Sequence, residues 1–186
     1  MTSTPVGVNA VTDDRALSFR GVDHVSLTVS NLNASEQFYT EVLGFMVVLD
    51  LGYGLVCMDK ATGFTLGLIK HEDGTGGRFS HLSTGLDHLG LTAQTREELV
   101  AWEQKFRRLG VTFTPIRDEP LGYHLNFRDP DDIALELSAP TEVYAEVLLQ
   151  LRSRTFSDEE IRQVAMQLGL GDYVAEPSRR STGGSA

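Results

Sequence analysis

The chain has 186 residues, 41% of them hydrophobic and 23% charged, which suits a soluble globular protein of one domain or two small fused modules. Its formal net charge of −10 and pI near 4.9 argue against nucleic acid as the main partner, because binding phosphates needs clustered Lys and Arg. The single cysteine, Cys57, rules out an intrachain disulfide and fits a reducing compartment. With no basic-then-apolar leader and no apolar run near the roughly 18 residues that span a bilayer, a cytoplasmic protein without membrane association is expected.

In chain order, residues 1–20 read as a polar arm. A first module covers residues 21–71. It opens with a strand over Val22–Val29, where His24, Ser26 and Thr28 alternate with Val25, Leu27 and Val29. The N-cap residue types of Ser30–Asn33 precede a helix over Ala34–Leu43, closed by Gly44. Strands follow at Phe45–Leu49, Gly54–Met58 and Phe64–Lys70. Residues 72–84, rich in Gly, Ser and Thr, form a linker.

The second module, residues 85–140, repeats this order. Gly85–Ala93 reads Gly-Leu-Asp-His-Leu-Gly-Leu-Thr-Ala, and Gly21–Val29 reads Gly-Val-Asp-His-Val-Ser-Leu-Thr-Val, 64 residues earlier and without a gap. A fixed-offset repeat of this kind marks one structural unit present twice. The strand Asp87–Ala93 leads to Thr95 as N-cap and a helix over Arg96–Leu109 that buries Leu99, Trp102 and Phe106. Gly110 ends it. Strands are expected at Val111–Ile116, Tyr123–Arg128 and Ile133–Ser138, with Asp129–Asp132 as a tight turn. Residues 141–175 form a helical extension, its second helix opened by a capping box at Ser157–Glu160 and stopped by Gly169. Residues 176–186 are a Pro/Ser/Gly/Arg tail with the composition of disorder.

A βαβββ unit present twice, with a histidine on each first strand and Asp129-Pro130-Asp131 leading to Glu136, resembles the vicinal oxygen chelate superfamily. That group includes glyoxalase I, extradiol dioxygenases, methylmalonyl-CoA epimerase, fosfomycin-modifying enzymes and bleomycin-resistance proteins. The resemblance implies an α+β fold, two tandem βαβββ modules forming a cup-shaped mixed sheet around a divalent metal, followed here by the helical extension. It places ligands on the first and last strands of each module: His24, His88 and Glu136. The fourth position falls on Gly67, so two histidines and one glutamate remain.

The alternation supports this choice. The opposite faces of the histidine strands are apolar and suited to the core, so His24 and His88 line the other face, and Glu136 stands between Leu135 and Leu137. A carboxylate there needs a partner or a metal. One histidine on a strand is ordinarily a packing or surface residue; three such residues at repeat-equivalent positions form a pattern. Two histidines and a carboxylate leave coordination sites open, the facial arrangement associated with Fe(II), with Mn, Ni, Zn and Mg as alternatives.

Counting back from Glu136 puts His124, Asn126 and Arg128 on one face. His124 and Asn126 are the candidate catalytic residues, since imidazole both accepts and donates a proton at neutral pH. The other reading of His124 is a hydrogen-bonded rim residue. Ser26, Thr28, Thr92 and Arg128 are candidate substrate contacts. Arg117 and Tyr53 are loop candidates, Tyr123 packs outward, His71 and His81 are solvent-exposed, and Cys57 is a buried hydrophobe. Asp23 and Asp87 face away from the metal and fix the strand entrances. The expected protein is a metal-dependent enzyme on a small substrate that chelates through vicinal oxygens. An extradiol-type dioxygenase leads, although Gly63-Phe64 and Asn126 stand where the dioxygenases carry a catalytic histidine and a tyrosine. A lyase, isomerase or thiol transferase is second, and a small-molecule-binding resistance protein third. In short members of the family the cup is often completed between subunits. A homodimer is therefore expected, with His24 of one chain joining His88 and Glu136 of the other.

Overall fold

A computed structural model describes residues 21–171; the arm at 1–20, the end of the extension and the tail at 176–186 lie outside the described residues. Each module folds as anticipated. In the first, β1 (His24–Thr28), α1 (Leu32–Gln37), β2 (Met46–Asp50), β3 (Gly54–Met58) and β4 (Thr65–Ile69) form a sheet of order β1-β4-β3-β2. In the second, β5 (Leu89–Thr92), α2 (Arg96–Leu109), β6 (Arg117–Glu119), β7 (Gly122–Arg128) and β8 (Ala134–Pro140) form β5-β8-β7-β6. In both, the first strand runs parallel to the last and the other pairs are antiparallel. The repeat in sequence is thus a repeat in topology. Two helices follow: α3 (Glu142–Ser153) and α4 (Asp158–Gln167). Among the described residues no helix is long and apolar enough to cross a membrane.

Local chemistry sets the element ends. Asn31 caps α1, its side chain accepting from the Ala34 amide at 3.2 Å, and Thr95 caps α2 by accepting from the Glu98 amide at 3.2 Å. Gly110 sits in the left-handed region at φ 72° and ends α2, as a C-terminal glycine does without steric cost. Ser157 and Glu160 make both halves of a capping box at α4.

Two expectations are corrected. The first helix is not α throughout: after Gln37 it widens into a π-helical turn, Phe38–Val42, closed by the Leu43 amide on the Phe38 carbonyl at 3.3 Å. The strand expected at Val111–Ile116 is only a fragment. Phe113 bridges Phe127, and the outer strand then resumes at Arg117–Glu119. Pro115, which has no amide hydrogen to give to a ladder, interrupts the run.

One core serves both modules. Phe106 and Phe127 pack with ring centroids 4.7 Å apart, and Phe38 of the first module stacks on Phe127 at 6.5 Å. Lys105 Nζ donates to the Val42 carbonyl at 2.6 Å. From the π-helical turn, Tyr39 donates its hydroxyl to Asp129 Oδ2 at 3.1 Å. Asp129 Oδ1 accepts from the Asp131 and Ile133 amides, and Asp131 in turn accepts from the Ser30 amide and hydroxyl. The helices and the inner sheet faces fill this core, which leaves the other face of each sheet outside it.

Candidate metal centre

The ladder registers assign each outer face, because residues paired across strands point the same way. On the first sheet the outer face carries His24, Ser26 and Thr28 of β1, with Thr65, Gly67 and Ile69 of β4 beside them. Val56, Met58, Met46 and Leu49 continue it, so that side is polar along β1 and apolar along β2 and β3. On the second sheet it carries Gly90 and Thr92, then Ala134, Glu136 and Ser138, then His124, Asn126 and Arg128, then Arg117. His88, expected on the strand, sits just before β5 begins at Leu89, and its ring reaches this face beside Glu136. One duplicated fold therefore presents a mixed wall and a more polar one.

Glu136 is the centre of the polar wall. It is only 9% exposed, between Leu135 and Leu137, both of which are buried on the core side. His124 Nδ1 lies 2.9 Å from its Oε1. Asn126 donates from Nδ2 to Oε2 at 3.3 Å while its own Oδ1 accepts from Arg117 Nη2 at 3.3 Å. His88 Nε2 stands 4.0 Å from Oε1. Neighbouring donors of a single ion at about 2.1 Å, about 90–109° apart, lie roughly 3.0–3.4 Å from each other, so His88 and Glu136 would have to close by about half an ångström or more to share one.

Each histidine of the repeat is oriented by the aspartate before it. Asp87 Oδ1 accepts from His88 Nδ1 at 2.6 Å, and Asp23 Oδ2 accepts from His24 Nδ1 at 2.8 Å. The His88 hydrogen bond holds the Asp87 carboxyl below the usual carboxylate range. A proton fixed on Nδ1 leaves the Nε2 lone pair free, the arrangement that metal-binding histidines adopt. The expectation that these aspartates only fix the strand entrances was too narrow. The signal was in the repeat itself, since Asp-His recurs as a pair.

The Gly67 position is closed to a fourth ligand. A Cβ built there would lie 2.5 Å from Ser26 Oγ. The second module reverses the sizes: Gly90 faces Glu136, and a Cβ at Gly90 would meet nothing within 4 Å. Open space beside the one carboxylate, and none at the position that lacks one, suits a three-donor centre with vacant positions.

Within one chain the expected ligands do not all meet. His24 lies on the other sheet, exposed, while His88 shares a cavity of about 420 Å³ with Asn126, Arg117, Arg128 and His81. No three His, Cys, Asp or Glu of one chain could hold a metal among the described residues. Thr92 stands on the Glu136 face; Ser26 and Thr28 stand with His24. Arg117, read from sequence as a loop residue, belongs to β6 opposite His124, and His81, read as solvent-exposed linker, lines the cavity. Tyr123 packs as expected away from the Glu136 face, against the core, with the Arg96 guanidinium 5.6 Å above its ring, and Cys57 is fully buried.

The geometry agrees with what the chain is similar to. Residues 21–137 match the model of the glyoxalase/bleomycin resistance protein/dioxygenase superfamily. The uncharacterized protein YwkD of Bacillus subtilis (strain 168) is 26% identical over 125 residues, 63% of this chain and 95% of that one. A glyoxylase/bleomycin resistance protein/dioxygenase domain from Frankia sp. EAN1pec is 33% identical with a TM-score of 0.61, over 67% of this chain and all of that one. The fold alone is shared with the fosfomycin resistance protein FosX of Listeria monocytogenes, solved with Mn(II) and a dihydroxypropylphosphonic acid, at 22% identity and a TM-score of 0.55 over 68% and 95% of the two chains. With the βαβββ repeat, the paired Asp-His strands and Glu136 falling inside the matched stretch, the chain belongs to the glyoxalase/bleomycin resistance protein/dioxygenase superfamily.

Proposed function

We propose that the protein is a metal-dependent enzyme acting on a small substrate that presents two adjacent oxygens, with the centre formed by His88 and Glu136 of one chain and His24 of a second copy. The observation that carries it is the buried Glu136, with His124, Asn126 and His88 around it on the sheet face turned away from the core. The mixed apolar and polar outer faces complement one another as the two walls of a cup. Two matching faces exchanged between copies form the self-complementary contact of a two-fold dimer. FosX, which shares the fold, was solved with a divalent metal.

A divalent ion held there supplies Lewis-acid polarisation of the substrate oxygens or, as Fe(II), dioxygen activation. The chain's own residues do the rest. Asp87 fixes the His88 tautomer, and Asn126, braced by Arg117, steers the Glu136 carboxylate. His124, whose Nδ1 lies 2.9 Å from Glu136, is placed to accept a proton from substrate and return it. Arg128 and Arg117 give the cavity a positive side for an anionic substrate group.

Ring-opening dioxygenation is favoured by the set of two histidines and one glutamate, which leaves coordination positions open. A second reading, lyase, isomerase or transferase chemistry, is favoured by the poised His124. Anaerobic loading with Fe(II), followed by oxygen uptake on catechols, tests the first. Uptake that depends on Fe(II) and is lost in Glu136→Gln supports it. Absence of uptake with metal bound, together with Mn(II)-dependent turnover of an epoxide or a hemithioacetal, transfers the assignment to the second.

A further inference from the structure

The first helix after the family-matched stretch, with Leu170, walls a cavity on the same sheet face as Glu136. α3 begins at Glu142, beyond residue 137 where the match ends, and lies against β8. Between α3, the Glu119–Gly122 turn and the end of β8 is a cavity of about 1100 Å³, at the upper end of the roughly 300–1,000 Å³ typical of small-molecule sites. Its walls are mainly apolar, with Leu121, Pro140, Tyr144, Leu148 and Leu170 among them and Leu149 at the exposed rim. The α3 residues among them recur at one-turn spacing, so a single helical stripe faces the cavity. No residue of α3 is fully buried. The stripe therefore covers a hollow instead of completing a core.

Gln94, Glu119 and Arg152 add polar groups to the lining, and a separate polar cluster lies on the sheet floor. Thr92, His124 and Ser138 line it there, and they belong to the sheet face that carries Glu136, with His124 Nδ1 2.9 Å from the carboxylate. A molecule lying along the apolar walls would present its polar end to His124.

We infer that this trough binds the apolar body of the substrate, an aryl or medium-length alkyl group attached to the oxygen-bearing head, and that the extension sets the size of substrate the centre accepts. The position of the head rests on the metal-dependent reading above; the binding of the apolar body does not. Burial of such a group against these walls supplies affinity in proportion to its area.

The test is fluorescence titration of the full-length protein with N-phenyl-1-naphthylamine, in EDTA and again with Mn(II). Leu148→Glu and Ala145→Trp, one charging the wall and one filling it, are compared with wild type, and their folding is checked by circular dichroism. Saturable binding by wild type in both conditions is expected, weakened at least tenfold in each variant. Displacement by 4-hexylcatechol, but not by catechol at the same concentration, is expected as well. The proposal is overturned if wild type takes up no probe or if both folded variants bind it as wild type does. It is also overturned if the variants lose the probe and the dimer together in sedimentation, because a second copy would then be the occupant. Failure of the metal reading shows separately, as no heat of Mn(II) binding in calorimetry while the probe result stands.

Discussion

Asp129 ties the two modules together at a thermodynamic cost that can be measured. Its carboxylate is 5% exposed and accepts hydrogen bonds from the Asp131 and Ile133 amides and from Tyr39. Burial, only partly offset by those hydrogen bonds, raises its pKa to about 6. An unfolded aspartate titrates near 3.9, so the folded state binds the extra proton between roughly pH 4 and 6, and this group's contribution to stability falls as pH rises through that window. Two pKa units correspond to about 3 kcal/mol, the cost of keeping Asp129 ionised in the fold at pH 7. Asp129→Asn keeps an oxygen for both backbone amides and carries no charge. Relative to wild type, the variant is expected to gain about 2–3 kcal/mol between pH 4 and pH 7, which for a chain of this size is a rise in Tm on the order of 5–10 °C at neutral pH. Urea unfolding of both proteins at half-unit pH steps isolates the difference, because all other titrations are common to the pair. A difference curve that stays flat from pH 4 to 7 would refute the reasoning about Asp129.

Phe127 sits at the junction of the two modules at 1% exposure, and Phe127→Ala is expected to cost about 3–5 kcal/mol in urea unfolding. Mn(II) at a hundredfold excess over its Kd should stabilise wild type by about 2.7 kcal/mol, seen as a calorimetric rise in Tm that Glu136→Gln abolishes. Asp87→Ala should weaken metal binding by about 10- to 100-fold in calorimetry while leaving the unfolding midpoint of the metal-free protein unchanged, since Asp87 acts through His88. Gly67→Ala should destabilise by about 1–3 kcal/mol through overpacking against Ser26, and Ser26→Gly should recover most of that loss in a double-mutant cycle.

Most of the fold was legible because duplication doubled the signal. Asp-His strands 64 residues apart, each followed by a capped helix and three short strands, specify one topology twice. What local pattern missed has physical causes. The π-helical turn at Phe38–Val42 places Tyr39 on Asp129, 90 residues away, a tertiary requirement that no periodicity records. The outer strand moved to Arg117–Glu119 because Pro115 cannot donate to a ladder. The site was legible in residue type and less so in arrangement. Glu136, His88, His124 and Asn126 were expected on one face and are brought together there. Arg117 escaped because its partner, Asn126, lies across a strand pair that sequence alone placed elsewhere. The size exchange, Ser26 with Gly67 against Gly90 with Glu136, becomes visible only once the registers are known.

Subunit complementation reaches the proposed centre most directly. His24→Ala and Glu136→Gln chains are purified separately, mixed under conditions that allow exchange, and titrated with Mn(II). If the centre spans two copies, neither variant alone binds the ion. The mixture then recovers about a quarter of the wild-type sites, because half of randomly formed dimers are mixed and each mixed dimer keeps one intact set of ligands. A mixture that binds no more metal than the separate variants, or a His24→Ala protein that binds it as wild type does, would contradict a centre built from His24 of one chain and His88 with Glu136 of the other.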